Sequence, residues 1–548
     1  MFITITLRAC YCFLLIGSLA FRQGVLGEDG SSSSVLKKTP ELTIVAHSRD
    51  ESVKSKGRDL DRVDVTKSIV NGPGLEPHAV VLPARYFYIQ LVDRKGRNFN
   101  TTENDDHLKV RIDCNGERQV WSQLLSRRRG SYIVRYKMFH SCLNGLRIII
   151  TYRNKHVAKS PYIIKFPVHP AVCNCPKLES INWLVRANCT RNHQQIDSDL
   201  GPFTSVNFSS VLEQAIERFY QPGSHSFCHY VIKDNKVYRK CYGQHVGFHI
   251  FPDSLLLTLI RTMYLRDMEF IINLGDWPLV NKDKVKPLIP IFSWCKTNAT
   301  ADILLPTYEL VEASLEGMGR VSLDMMTVQS NSEVPWDDKI DKVFWRGRDS
   351  RQERLDLILL SRKYPDLFNV SLTNFFFFRD QMDLYGPKAQ HISFFKFFNY
   401  KYQLNIDGTV AAYRFPFLLA GDSVVFKTES PYFEHFYKDL KPWTHFIPVK
   451  ADLEDLIEKI QWLKENDHKA KAVGENGRKY AQENLMPLEV MCYHVEVFNK
   501  WADRLANPVT VLPGMELVEP PDLPKGTKCD CSPGPRHLSS DSWDKNEL

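Results

Sequence analysis

Two segments of the chain combine residue types that could hold a diphosphate. They read FWRGRDSRQER at 344–354 and NIDGTVAAYRFPFLLAGDSVVFK at 405–427. In the second segment a short apolar run ends at Asp407-Gly408, small residues follow, and Arg414 stands where the next helix should begin. Small residues let a backbone approach a ligand closely, and an open α/β sheet binds diphosphates at such a strand-to-helix turn. The pattern therefore predicts a diphosphate site at this turn.

A third segment could supply an acid–base group. The apolar run MEFIINL at 268–274 ends in Gly275, which delivers Asp276 at the carboxyl end of a predicted strand. Trp277 and Pro278 fix the turn that follows. A general base must be rigid and within hydrogen-bond reach of the hydroxyl that it deprotonates, and this position suits it. From residue types alone, an aspartate that caps the turn is the simpler interpretation.

These segments, together with KPWTHFIPV at 441–449, resemble in order and spacing the lipopolysaccharide-modifying, capsule-associated glycosyltransferase family. Its animal members include the protein O-glucosyltransferases, and the KDEL-like terminus described below resembles one branch of them. The resemblance implies that Asp276, in an Asp-aromatic-Pro motif, is the catalytic base. It also implies donor contacts from Arg346, Arg354, Thr409, Val410, Ala411, Ala412, Tyr413 and Arg414. Arg348 replaces a small residue of the best-known branch, and Arg351 is expected to form a surface ion pair.

The family implies transfer of glucose from UDP-glucose, as co-substrate, to a serine of EGF-like repeats, with inversion at the sugar carbon. No metal or other cofactor is expected, because the D-x-D matches at 59–61 and 197–199 lie in polar stretches. Two alternatives stay open: UDP-xylose or another sugar donor, and a non-catalytic lumenal chaperone or scaffold. The segment 302–320 is shorter than the acceptor-binding segment of the best-known members. The phenylalanines at 375–378 are a second candidate acceptor surface, with buried packing as the alternative.

Alternating strands and turns between 68 and 168 predict an all-β, immunoglobulin-like domain. GPGL, PARYFYIQLVDRKG, GSYIVRYK and KSPYII resemble a filamin-type repeat, which implies a spacer or docking module. The change of pattern at 170–175 predicts that this module is separable.

After residue 170 helices and apolar strands alternate, which predicts parallel sheets. Helices are expected at 211–220, 252–265, 351–362 and 453–466, and strands at 268–274, 289–293, 342–344 and 423–426. The family implies two Rossmann-like halves (a GT-B-like fold) over 171–505, followed by a tail at 506–548.

The sequence predicts targeting signals at both ends of the chain. Residues 1–27 read as a signal peptide and 28–67 as a flexible linker, and no other stretch approaches transmembrane length. The last four residues, Lys545, Asn546, Glu547 and Leu548, are a one-residue variant of the KDEL signal that a retrieval receptor reads. Residence in the endoplasmic reticulum lumen is expected. The net charge of +7 is mild for 548 residues and argues against nucleic acid as a partner.

Cysteines and sequons fit an oxidising compartment. Of 13 cysteines, two precede residue 28, so the other eleven, an odd number, leave at least one thiol unpaired within the chain. Cys228 and Cys241 flank an apparent hairpin and could close it, and the family resemblance implies a bridge joining the Cys173 region to Cys492. Candidate N-glycosylation sites are Asn100, Asn188, Asn207, Asn298 and Asn369.

Overall fold

The computed structural model describes residues 63–99, 107–117, 119–221, 226–315, 324–331, 334–523 and 525–531. The expected signal peptide, the linker up to residue 62, Asn100 and the 545–548 terminus lie outside these residues. Among the helices of the described part, none is both long and apolar enough to span a membrane.

The N-terminal part is a sandwich of two antiparallel sheets, as the strand alternation predicts. Its strands are β1 (Ile69–Asn71), β2 (Arg85–Gln90), β3 (Leu108–Asp113), β4 (Trp121–Ser126), β5 (Ser131–Lys137), β6 (Leu146–Tyr152), β7 (Lys155–His156) and β8 (Tyr162–Ile164). One sheet has the order β1-β2-β5-β4, and the other has β3-β6-β7 with β8 also paired to β6. Alternate residues of β6 are fully buried between the sheets. Ala158 N–H donates to Val65 O at 2.8 Å, so residues 63–67 belong to this domain and not to the linker.

The rest of the chain alternates helices and strands. The helices are α1 (Ser180–Arg186), α2 (Gln194–Leu200), α3 (Phe208–Phe219), α4 (Ile250–Thr262), α5 (Tyr308–Leu315), α6 (Met325–Ser330), α7 (Gln352–Lys363), α8 (Met382–Tyr385), α9 (Phe415–Ala420), α10 (Leu456–Glu465), α11 (Asp467–Asn484) and α12 (Pro487–Ala502). The strands are β9 (Phe227–Lys233), β10 (Lys236–Tyr242), β11 (Met268–Asn273), β12 (Ile291–Ser293), β13 (Lys296–Thr297), β14 (Ile303–Leu304), β15 (Ile340–Arg348), β16 (Phe368–Asn374), β17 (Tyr400–Asn405), β18 (Val424–Thr428), β19 (Tyr432–Phe433), β20 (Ile447–Val449) and β21 (Glu516–Leu517).

Two larger sheets organise this region. A five-stranded sheet, β16-β15-β17-β18-β20, is parallel throughout, as predicted. A six-stranded sheet, β14-β12-β11-β9-β10-β21, is mixed, and only β11, β12 and β14 run parallel. The reason is the two-residue turn at Asp234 and Asn235, whose positive φ angles of 51° and 55° suit a tight hairpin. A connection that short cannot cross over, so β9 and β10 must be antiparallel. Cys228 and Cys241 form the expected disulfide across them.

The C-terminal stretch departs from the predicted boundary at 505. Strand β21 pairs with β10, and Cys173–Cys529 and Cys175–Cys531 disulfides fix the last described residues. The fold therefore extends at least to residue 531. The implied bridge from the Cys173 region to Cys492 is wrong, because Cys492 bonds to Cys189 on the α1 side of the domain. Cys114–Cys142 closes the N-terminal sandwich, and Cys295 is a free thiol.

The N-terminal sandwich shares a hydrophobic core with the region that follows it. The largest buried cluster contains Leu82, Tyr86 and Ile133 of the sandwich together with residues of α12 such as Val490 and Met491. Separating the two parts would expose this shared surface to water, at a cost proportional to the apolar area. The shared core therefore opposes separation of the module, and the separability itself stays a prediction.

Candidate active site

Asp276 follows β11, a central strand of the six-stranded sheet. The side-chain amide of Asn273 holds the loop in which Asp276 lies. Every residue of β11 is buried, which anchors the strand in the core. At its end, Asn273 Oδ1 accepts a hydrogen bond from Gly275 N at 2.9 Å. Asn273 Nδ2 donates to Trp277 O at 2.7 Å. The loop is therefore held on both sides of Asp276, which gives it the rigidity that a general base requires.

A second carboxylate supports the same loop from beneath. Asp302 is 0% exposed and accepts hydrogen bonds from Leu279 N at 2.8 Å, Val280 N at 2.9 Å and Ser293 Oγ at 2.7 Å. Ser293 Oγ also accepts from Asn273 Nδ2 at 3.2 Å, which links the two supports. Sequence reasoning missed Asn273, Ser293 and Asp302, because their contacts join strands distant in sequence.

Protein atoms surround most of the carboxyl group of Asp276. Burial raises its pKa, while a hydrogen bond from Tyr308 and the positive charge of Arg348 oppose that rise. Tyr308 OH donates to Asp276 Oδ1 at 3.3 Å, and Cys295 Sγ donates to the Asp276 carbonyl at 3.3 Å. A raised pKa makes the carboxylate a stronger proton acceptor, provided that it stays ionised at the working pH.

Replacing Tyr308 by phenylalanine tests this balance. The variant removes a hydrogen bond that favours the charged carboxylate, so the pKa of Asp276 should rise further. The predicted role of Asp276 as a base needs the ionised carboxylate, so the acid limb of the rate profile should move to higher pH while the rate on the alkaline plateau changes little. The measurement is transfer rate against pH for both proteins. If the acid limb lay at the same pH in both proteins, Tyr308 would have no effect on the ionisation of Asp276.

The predicted diphosphate loop lies at the carboxyl end of β17 in the five-stranded sheet. Gly408 N–H donates to Val410 O at 2.9 Å, which closes a tight turn. Arg354 is 4% exposed and donates from Nε to Asp407 O at 2.6 Å and from Nη2 to Ile406 O at 3.1 Å. A Cβ atom on Gly408 would lie 3.3 Å from Arg354 Nη2, closer than such contacts normally are. The structure thus places Arg354 as the support of the loop.

The side chain of Arg346 binds the neighbouring strand β16, whereas its backbone carbonyl binds the loop. Its guanidinium donates to Asn369 O at 2.9 Å and to Asn369 Oδ1 at 2.7 Å, and it lies over the Phe344 ring. Its backbone carbonyl accepts from Arg414 Nη1 at 2.6 Å. The neighbouring strand thus offers Arg346 a partner that the sequence does not reveal, and the donor contact of Arg346 stays a prediction.

Arg348, Arg414 and Glu309 form a charged group facing Asp276. Burial lowers the pKa of Arg414, and Glu309 opposes that effect while Arg348 adds to it. Burial likewise raises the pKa of Glu309, with Arg414 opposing and Asp276 adding to the rise. Glu309 is nevertheless exposed to solvent, and Arg414 and Asp276 are partly exposed. We call the solvent-accessible place that Asp276, Glu309, Arg348 and Arg414 share the cleft. The sequence did not identify Glu309 as a residue of this site, and it gave Arg348 no role there.

Aromatic packing joins the two sheets at this cleft. Tyr413 of the loop packs edge-on against Tyr308 with ring centroids 5.5 Å apart, and Trp294 packs on Tyr308 at 5.8 Å. Of the predicted loop residues, Val410, Ala411, Ala412 and Tyr413 are buried, whereas Thr409 is partly exposed. The structure thus brings Asp276, the loop 409–414 and Arg348 to one place, where a carboxylate and two arginines lie near one another.

The remaining candidate residues lie elsewhere. Asp349 accepts the backbone N–H groups of residues 376–378, so the phenylalanine run wraps around a buried carboxylate. Within this run of phenylalanines, Phe375 is buried, whereas Phe377 is 52% exposed. Asp199 is also structural, since it binds Lys296 Nζ at 2.6 Å and Leu304 N at 3.0 Å. Arg351 forms the expected ion pair, with Glu353 at 3.0 Å.

The described sequons differ in access. Asn188, Asn207 and Asn298 are exposed. Asn369 lies in β16, and its Nδ2 donates to Tyr400 OH at 2.6 Å. The Asn369 amide is thus engaged within the folded protein.

Comparison with known proteins agrees with a site that uses a nucleotide-bound sugar. The sequence model of glycosyl transferase family 90 matches residues 185–539, and that of the filamin/ABP280 repeat matches residues 62–163. Protein O-glucosyltransferase 2 of Danio rerio is 49% identical over 458 residues, which cover 83% of this chain and 91% of that protein. Protein O-glucosyltransferase 3 of Homo sapiens is 41% identical over 467 residues, covering 84% and 91%. The chain therefore belongs to glycosyl transferase family 90, and it is a glycosyltransferase that carries a filamin repeat.

Proposed function

We propose that this glycosyltransferase transfers glucose from UDP-glucose to a serine hydroxyl of EGF-like repeats, with inversion at the sugar carbon and without a divalent metal ion. The names of the relatives support glucose as the sugar and protein as the acceptor. The observation that carries the proposal is the set of contacts that brings the two sheets together: Tyr308 donates to Asp276 and packs on Tyr413, the residue before Arg414, while the charge of Arg348 acts on Asp276. A base on one side and two cations on the other are what a direct displacement from a diphosphate needs.

In this mechanism the serine hydroxyl gives its proton to the Asp276 carboxylate. The serine oxygen forms a bond to the anomeric carbon, and the bond from that carbon to the UDP oxygen breaks with its electron pair on UDP. Arg348 and Arg414 stabilise the charge that develops on the diphosphate, as arginines do in other phosphate sites. One displacement from the face opposite the leaving group inverts the sugar carbon, and it requires one base and no close pair of carboxylates.

We also propose that the two sheets are the two Rossmann-like halves of a GT-B-like enzyme. The chain order of the five-stranded sheet, 2-1-3-4-5, is that of a doubly wound nucleotide-binding fold. In such folds ligands bind beyond the carboxyl ends of the strands, which is where 348, 276 and the loop 409–414 lie. We place the filamin repeat within 63–168 and extend the catalytic region from 171 to at least 531.

The experiment is a panel of UDP-glucose, UDP-xylose and UDP-galactose with a folded EGF-like repeat as acceptor, read by mass spectrometry of the product. We expect addition of one hexose from UDP-glucose, at a rate unchanged by a chelator. A preference for UDP-xylose would replace glucose by the alternative donor. No transfer from any of the three, with an acceptor that other members of the family modify, would favour the non-catalytic alternative.

The proposed compartment is the endoplasmic reticulum lumen, and the retrieval receptor is a proposed partner. The N-terminal targeting segment and the terminus at 545–548 support this placement, together with five disulfides among the described residues. A form that lacks residues 545–548 should appear in the culture medium of producing cells. Retention as efficient as that of the intact chain would rule out retrieval by this signal.

A further inference from the structure

The filamin repeat contacts the catalytic region through a buried ion pair. Arg135 lies on β5 of the repeat, and its Nη1 is 2.9 Å from Asp324 Oδ2, with both side chains only 7% exposed. Gln123 on the neighbouring strand holds the same guanidinium by accepting from its Nε at 2.8 Å. Removing one partner of a buried ion pair leaves an uncompensated charge, which is strongly unfavourable. The pair therefore fixes the position of Asp324 relative to the repeat.

Asp324 in turn begins helix α6. Its Oδ1 accepts the N–H groups of Met326 at 2.8 Å and Thr327 at 2.9 Å, and Thr327 Oγ1 accepts from Asp324 N at 3.2 Å. This reciprocal capping box ties the start of the helix to the side chain that Arg135 holds. One carboxylate thus serves both the interface and the helix cap.

The C-terminal end of α6 also contacts both the filamin repeat and the catalytic region. Gln329 is fully buried, and its Oε1 accepts from Arg127 of the repeat at 3.2 Å. Its backbone carbonyl accepts from Arg478 of α11. Helix α6 lies between β4 and β5 of the repeat and α9 of the catalytic region, and α11 packs on α9 as well. A Cβ atom on Gly477 of α11 would lie 3.2 Å from the Leu419 side chain of α9, so the helices are packed tightly.

Helix α9 is the helix that the donor loop enters. It begins at Phe415, directly after Arg414, and it has only six residues. All six of its residues are buried, and it packs against both α6 and α11, so its position depends on those two helices. A shift of α6 would therefore displace α9 and change where Arg414 points.

We propose that the filamin repeat is a positioning element of the donor site, acting through Arg135, Asp324 and helix α6 on helix α9 and Arg414. The inference rests on the proposed function, since it concerns the site for the nucleotide sugar. Arg135 acts as a positioning residue and does not touch the substrate. The repeat thus sets the affinity for the nucleotide, in addition to any docking role that it has.

The test compares Arg135→Met with Arg147→Met in the full-length protein. Arg147 pairs with Asp113 inside the repeat at 3.2 Å, so its variant weakens the repeat without touching α6. We expect Arg135→Met to bind UDP about tenfold more weakly in calorimetry, within the usual range of coupling between sites. The KM for UDP-glucose should rise in parallel, while kcat falls less. Arg147→Met should bind UDP as the unaltered protein does.

The double variant Arg135→Met/Asp324→Asn separates positioning from general damage. Asparagine still caps a helix but carries no charge, so the double variant leaves no unpaired charge at the interface. We expect it to recover most of the UDP affinity. UDP affinity of Arg135→Met equal to that of Arg147→Met would overturn the inference, and so would a double variant no better than the single one.

If Arg135→Met yields no folded protein, Arg127→Met decides. It removes the contact with Gln329, together with contacts to Ser131 and Tyr88 inside the repeat, and it leaves the ion pair of Arg135 with Asp324 intact. Unchanged UDP affinity in that variant would overturn the inference. Failure of the proposed function is visible separately, as unaltered protein that binds UDP but transfers no glucose.

Discussion

Replacing Asp276 by asparagine should leave UDP-glucose bound and lower the rate of glucose transfer by a factor on the order of 10²–10⁴. Asparagine has nearly the same shape and can keep the hydrogen bond from Tyr308 OH. It cannot accept the serine proton, so the step that makes the hydroxyl nucleophilic is lost. The measurements are UDP-glucose affinity by calorimetry and transfer rate to a folded EGF-like repeat, on the same preparations.

Glu309→Gln is the matched control, because Glu309 is the other carboxylate whose charge acts at this cleft. Glu309 stands beside Arg414, and removing its negative charge should strengthen binding of an anionic diphosphate or leave it unchanged. Transfer by this variant should fall by less than about tenfold, well below the loss expected of a general base. A larger loss in Glu309→Gln than in Asp276→Asn would move the role of base to Glu309. Near-normal transfer by Asp276→Asn would return Asp276 to a turn cap.

The position of Asp276 was predictable because its cause is local. An apolar run that ends in Gly-Asp-Trp-Pro specifies a buried strand and the turn after it, and β11 ends within one residue of the predicted boundary. The support of that turn was not predictable. Asn273, Ser293 and Asp302 come together only because β12 pairs with β11 and the loop before β14 lies beneath them. Pairing of distant strands is a tertiary property that one sequence does not reveal.

The arginines show the same limit. Arg346 and Arg348 are two residues apart on β15, so strand periodicity alone would place both on one face, but the pairing with β16 shifts register between Gly347 and Arg348. Strand periodicity cannot say which of them binds the neighbouring strand, and the structure shows that Asn369 of β16 binds Arg346. Arg354 was predicted at the site, and it lies there, but its partners are backbone carbonyls of the loop.

The cysteine pairs were beyond sequence reasoning for a geometric reason. Many pairings are possible among eleven cysteines, and spacing along the chain constrains only close pairs such as Cys228 and Cys241. The bridges from 173 to 529 and from 175 to 531 span 356 residues each. They also explain why the described residues between 506 and 531 are not a loose tail.

Replacing Arg414 by alanine should weaken both UDP-glucose binding and transfer, in contrast to Asp276→Asn. The variant removes a charge that the proposed mechanism places on the diphosphate, both in the bound donor and as the leaving group gains charge. By analogy with other contacts to developing charge, the cost is roughly 2–4 kcal/mol, which corresponds to about 30- to 700-fold. Calorimetry with UDP and UDP-glucose, beside the transfer rate with and without a chelator, measures both effects.

Arg414→Lys and Arg362→Ala complete this series. Lysine keeps the charge but not the planar fork of donors, so it should recover only part of the affinity. Arg362 binds the carbonyls of Leu384 and Gly386 at the surface of the same half, and its loss should leave UDP affinity unchanged. If a chelator abolished the activity of the unaltered protein, a metal ion, and not the arginines, would be the group that stabilises the negative charge of the diphosphate. Because Arg414 Nη1 also holds the Arg346 carbonyl, a loss of UDP affinity without loss of thermal stability identifies the phosphate contact as the cause.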